Sequence, residues 1–150
     1  MILRIMRISF LSYTICVLLL SVPYPGLAEA RDHLAGPVPA EVIRVVDGDS
    51  LIVRVRVWID QTLVVSVRVR DIDAPELRGD CDHERWMARR AKAYLNAAVS
   101  GGPVTLTEIE GGTYFGRVIA RVTTAEGNDV ARALMHNDLV VPFRTRKPWC

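Results

Sequence analysis

The residues with chemical potential are acids and arginines at the ends of apolar runs. Asp47-Gly48-Asp49 follows the run Glu41 to Val46, and Asp71-Ile72-Asp73-Ala74-Pro75-Glu76 follows the run that carries Arg68. Each motif alone has a plain meaning: a hairpin turn, a loop with a helix cap, a solvated arginine on a strand face. Together, the strand bearing Arg68 runs directly into Asp73 and Glu76, so a guanidinium and several carboxylates converge at one strand end. That set suits phosphodiester hydrolysis. A hard divalent cation takes oxygen ligands. Planar guanidinium forks match the equatorial oxygens of a pentacoordinate phosphorus. A further carboxylate can orient and deprotonate a water.

Such side chains need rigid strand ends, and the sequence supplies strands. Val53, Val55, Val57 and Ile59 alternate with Arg54, Arg56 and Trp58; Val65, Val67 and Val69 alternate with Ser66, Arg68 and Arg70. That is period two with β-branched residues on one face, and Asp60-Gln61 is a tight turn between the runs. Asp82 caps a helix to about Ala98, with Trp86, Ala91, Tyr94 and Leu95 near one face, and Gly101-Gly102-Pro103 ends it. Val104 to Ile109 and Arg117 to Thr123 are further strands. Asn128 or Asp129 caps a short helix, Val130 to His136, and the tail from Leu139 is irregular. The order predicts a mainly β, α+β domain: a five-stranded OB-type barrel with the longer helix between strands 3 and 4 and a short C-terminal helix. Regular βαβ alternation is absent from the pattern.

The chain of 150 residues is 50% hydrophobic and 24% charged, which excludes disordered and collagen-like classes. Nineteen Lys and Arg face seventeen Asp and Glu, a formal net charge of +2, so polyanion binding must come from local arrangement rather than bulk charge. Only Lys92 and Lys147 are lysine. Residues 1–30 read as a secretory signal: Arg4 and Arg7, an apolar run from Ile8 to Val22, then Ala28-Glu29-Ala30. The alternative is an uncleaved anchor; either places the rest outside the cytoplasm. Residues 31–40 read as a flexible leader and 41–150 as the domain. Cys81 and Cys150 remain after the signal and are expected to pair in an oxidising compartment; the rival is a metal site of Cys81, His83 and Cys150. His33, His83 and His136 are read as structural or solvated.

Val45-Val46-Asp47-Gly48-Asp49-Ser50, Val67 to Glu76 and Phe115-Gly116-Arg117, in this order and spacing, resemble the staphylococcal nuclease (thermonuclease) family over roughly residues 41–143. The resemblance implies an OB-type barrel and a Ca2+-dependent nuclease. It implies that Asp49, Asp73 and the main-chain carbonyl of Ala74 hold the calcium, that Arg68 and Arg117 grip the scissile phosphate, and that Glu76 is the general base. Phe115 and Phe143 fall where the family has tyrosines, so hydroxyl contacts are lost while a ring can still stack on a base. The substrates so implied are single-stranded or frayed DNA and RNA. The protein is expected to be secreted or periplasmic, monomeric, and free of lasting membrane association once the signal is removed. The competing expectation is a non-catalytic OB-fold module that binds nucleic acid or an acidic polysaccharide.

Overall fold

The alternating runs form the expected strands. The computed structural model describes residues 32–114 and 116–150. The signal segment 1–30 and Phe115 lie outside the described residues. Among the described residues eight strands appear in chain order: β1 (His33–Leu34), β2 (Val38–Val45), β3 (Ser50–Trp58), β4 (Gln61–Val69), β5 (Ile72–Asp73), β6 (Val104–Gly111), β7 (Arg117–Thr123) and β8 (Val141–Pro142). Helix α1 spans Asp82–Ala98 between β5 and β6, and α2 spans Val130–His136 between β7 and β8. Among the described residues, no helix is long and apolar enough to cross a membrane.

Strands β6, β2, β3, β4 and β7 pair in that order, and β7 pairs back onto β6 to close a five-stranded barrel. Among the described residues only the β4–β7 pair is parallel. This architecture is consistent with the OB-type barrel expected. Leu51, Val53, Val67, Val69, Ala120 and Val122 fill the interior, each no more than 1% exposed. Their neighbours in sequence therefore face outward. Ser50 lies opposite Arg68 across β3–β4, and Arg117 lies beside Ser66 across β4–β7. Strand register thus places Ser50, Arg68 and Arg117 together on the outer face.

Several local expectations are corrected. Of the alternating face read over Val53, Val55, Val57 and Ile59, only Val53 and Val55 are buried, because β2 pairs with β3 no further than Ala40–Val55 and the hairpin outruns the barrel. Its turn is Ile59–Asp60 rather than Asp60-Gln61, with Asp60 at φ 56. Within the segment read as a flexible leader, 31–40, the described residues 32–40 are not a loose arm: His33–Leu34 and Val38–Ala40 both pair with β6, whose backbone groups on that side would otherwise lack partners. Helix α1 is capped by Cys81, whose sulfur accepts from Glu84 N–H, and not by Asp82. Its buried stripe is Glu84, Ala88, Ala91 and Leu95, at helical spacing, while Trp86 stays exposed. Of the two candidates for capping α2, Asp129 does so, accepting from Arg132 N–H at 2.9 Å. The tail adds β8, paired with β5.

The Asp47-Gly48-Asp49 turn is wedged between α1 and β5. A Cβ at Gly48 would stand 2.7 Å from Ala91 Cβ and 2.8 Å from Ala74 Cβ. Only glycine lets the three segments approach this closely. Gly48→Ala is therefore expected to lower stability by about 1–3 kcal/mol through overpacking, measured by urea unfolding. Unchanged stability would mean that the packing yields freely.

Candidate functional site

Asp49 is the centre of the constellation. Asp47 Oδ1 accepts from Asp49 N–H at 3.0 Å, which fixes the turn that delivers it. The Asp49 side chain is 5% exposed. Its Oδ1 accepts from the Ser50 hydroxyl at 2.7 Å and from Arg68 Nη1 at 3.1 Å, and its Oδ2 accepts from Ala74 N–H at 3.1 Å. Desolvation pushes this carboxyl up to about 6, helped by nearby Asp47 and opposed by Arg68, the Ser50 hydroxyl and the Ala74 N–H.

Arg68 spans two acids. While Nη1 reaches Asp49, Nη2 donates to Asp73 Oδ1 at 2.7 Å and to the Ile72 carbonyl at 3.4 Å. Asp73 ends the two-residue strand β5, held by pairing with Val141 of β8. Arg117 opens β7 and donates from Nη2 to Ser50 Oγ at 3.2 Å; its buried Nε has no hydrogen-bond partner among the described residues. Ser50 therefore links both arginines through Asp49. The structure brings together Asp49, Arg68, Asp73, Ala74 and Arg117.

Glu76 is exposed, three residues beyond Asp73. Its loop is anchored by Glu84 of α1, which is 8% exposed. Glu84 Oε1 accepts from Glu76 N–H and Oε2 from Asp80 N–H, both at 3.2 Å. Arg85 donates to the Gly79 carbonyl at 2.7 Å and closes the same loop. Glu76 and Glu84 line a cleft of about 370 Å³ whose opposite wall includes Lys147, Trp149 and Cys150.

The tail reaches this cleft because Cys81 and Cys150 are joined, with Cα atoms 6.0 Å apart. The rival metal site of Cys81, His83 and Cys150 is thereby corrected: a sulfur in a disulfide has no thiolate to offer a metal. Lys147 Nζ lies 3.2 Å from Asp73 Oδ2. Phe143 is half exposed, with its ring centre 5.9 Å from Arg68 Cζ and 5.4 Å from Arg144 Cζ. Phe115 belongs to the undescribed positions.

Sequence reasoning missed Ser50, Glu84 and Lys147 as parts of this cluster. Ser50 had a signal, its register opposite Arg68. Glu84 had a weaker one, a glutamate three residues into a helix. Lys147 had none, since its place depends on the β5–β8 pair and the disulfide.

The donor set fits a hard divalent cation. Asp49 and Asp73 already face one shared cation, the Arg68 guanidinium, and the Asp49 carboxyl is desolvated enough that its charged form needs more positive charge nearby. Among the described residues no three His, Cys, Asp or Glu side chains gather into a cage. A cation here would keep several positions for water or phosphate.

Because the Asp49 carboxyl sits above its ordinary 3.8, the folded state holds that proton more tightly than the unfolded chain does. Its contribution to stability is full below about 3.8 and is lost as pH rises through about 6. In metal-free buffer, the stability of wild type relative to Asp49→Asn is expected to fall between pH 4 and 7, followed by urea unfolding at several pH values. A flat or rising difference would show that Arg68 outweighs burial. Compared with known proteins, the chain matches no family model and no curated protein.

Proposed function

We propose that this chain is an exported, Ca2+-dependent phosphodiesterase of the staphylococcal nuclease type, built on an OB-type barrel and acting on single-stranded or frayed DNA and RNA. One observation carries the proposal: the fork of Arg68 joins Asp49 to Asp73 on the face where Arg117 also arrives. Acids for a cation and arginines for a phosphate thus share one rigid patch of strand.

In this proposal Asp49, Asp73 and the Ala74 carbonyl hold the calcium. Bound there, calcium would neutralise phosphate charge and acidify water. Arg68 and Arg117 grip the phosphoryl oxygens; Arg68 turns one N–H edge from its carboxylates to the substrate. Glu76, exposed at the cleft rim, orients a water and takes its proton as oxygen attacks phosphorus. The P–O ester bond opposite breaks, and the leaving oxygen takes a proton from solvent. Phe143, beside Arg68, offers a ring face to an unpaired base. The signal-like segment 1–30 and the disulfide support a secreted or periplasmic protein.

The test is incubation of the purified, oxidised protein with heat-denatured DNA, in calcium or in EGTA, beside Glu76→Gln and Arg68→Lys. Cleavage is expected only with calcium. Both variants should lose about 10²-fold or more in kcat, since lysine lacks the fork and glutamine cannot take the proton. Salt-sensitive binding without turnover, indifferent to Glu76→Gln, would instead establish the non-catalytic binding module.

A further inference from the structure

Asp73 has a cation on each oxygen. Arg68 Nη2 holds Oδ1 at 2.7 Å, and Lys147 Nζ lies 3.2 Å from Oδ2. The two cations differ in origin. Arg68 belongs to a barrel strand and is itself part of the phosphate-gripping pair. Lys147 belongs to the irregular segment after β8, which is fixed by the buried Trp149 ring and the Cys81–Cys150 bond. An ammonium is a compact, strongly hydrated point charge, the protein group most like a small metal ion.

We propose that Lys147 is a positioning residue that sets the metal affinity of this site by occupying Asp73 in competition with the cation, and that the disulfide enforces the competition. The inference rests on the calcium site proposed above. Lys147 lies three residues before Cys150, a backbone reach of about 10 Å at full extension. The β5–β8 pair, which holds Val141 against Asp73, and the bond to Cys81 tie the segment of Lys147 at both ends and confine the ammonium near Asp73, and an intramolecular competitor acts at high effective concentration. The Lys147 side chain is 45% exposed, so it can leave Asp73 without being stranded in an apolar environment. It also lines the cleft of Glu76. When a divalent cation takes Asp73, the displaced ammonium has an open place beside the position proposed for the substrate phosphate.

The sign of the effect separates this role from a structural one. Removing a mere prop loosens Asp73 and weakens calcium binding. Removing a competitor strengthens it. Calcium is titrated calorimetrically into the oxidised wild type, Lys147→Gln and Lys147→Arg at low salt. Lys147→Gln is expected to bind calcium roughly fivefold more tightly, the scale of one partly exposed ion pair. Lys147→Arg, which keeps the charge, should stay near wild type. Wild type opened with dithiothreitol should shift toward Lys147→Gln, while Lys147→Gln itself should not change on reduction. Equal or weaker binding by Lys147→Gln overturns the inference and leaves the calcium site standing. Absence of calcium binding in both wild type and Lys147→Gln overturns the inference and the calcium site together. A Lys147→Gln gain with no response of wild type to reduction overturns the part assigned to the disulfide.

Discussion

A buried carboxylate at the lip of a β-barrel must be surrounded by donors, and Asp49 dictates much of what lies around it. Leaving a buried polar group without partners costs more than its partnered bonds return. Asp49 meets this demand with a hydroxyl, a guanidinium and a backbone N–H, drawn from β3, β4 and the residue after β5. Each donor is held by a different piece of the fold. Ser50 is set by the start of β3. Arg68 is set by its register opposite Ser50. The Ala74 N–H is set by packing against Gly48, where no Cβ intervenes. Displacing any one of these segments exposes the same charge.

The barrel explains why arginines from distant parts of the chain meet there. Closure through the β6–β7 pair brings β7 parallel to β4, so Arg117 enters beside the strand of Arg68 although 48 residues lie between them. An antiparallel neighbour would run the strand the other way and carry Arg117 toward the opposite end. The short β5–β8 pair then ties Asp73 to Val141 and sets Phe143 beside Arg68. Glu84 does the corresponding work from α1, holding the Glu76 loop by two of its N–H groups.

What could be foreseen from sequence followed from short-range periodicity. The barrel strands were legible because Val-rich runs alternate, and the convergence of Arg68 with Asp73 was legible because Asp73 follows Arg68 by only five positions. Most of the failures involve a partner distant in sequence. Val57 and Ile59 continue the pattern of Val53 and Val55, and nothing local says that β2 stops pairing at Ala40. His33 and Leu34 show no strand pattern in two residues; they pair because β6 has free backbone groups beside them. Cys81 is an unusual helix cap, and its cap position follows from the chain entering α1 there. Lys147 lies 74 residues from Asp73, and the β5–β8 pair together with the bond between Cys81 and Cys150 closes that distance.

The charge balance of the cluster bears on how a polyanion would be handled. Arg68, Arg117 and Lys147 stand with Asp49, Asp73 and Glu76, three cations against three acids, with ion pairs joining Arg68 to Asp49 and Asp73 and Lys147 to Asp73. A phosphodiester approaching this patch alone meets little net positive charge, in keeping with a chain whose overall balance is only +2. Two of the cations are also engaged with carboxylates, so gripping phosphate means surrendering an ion pair. Under the proposed function, a divalent cation at Asp49 and Asp73 changes both terms. It brings net positive charge to the patch, and it relieves the carboxylates of their need for Arg68 and Lys147, freeing those groups for phosphate. Metal and substrate binding are then coupled through the same two acids, and by linkage each strengthens the other.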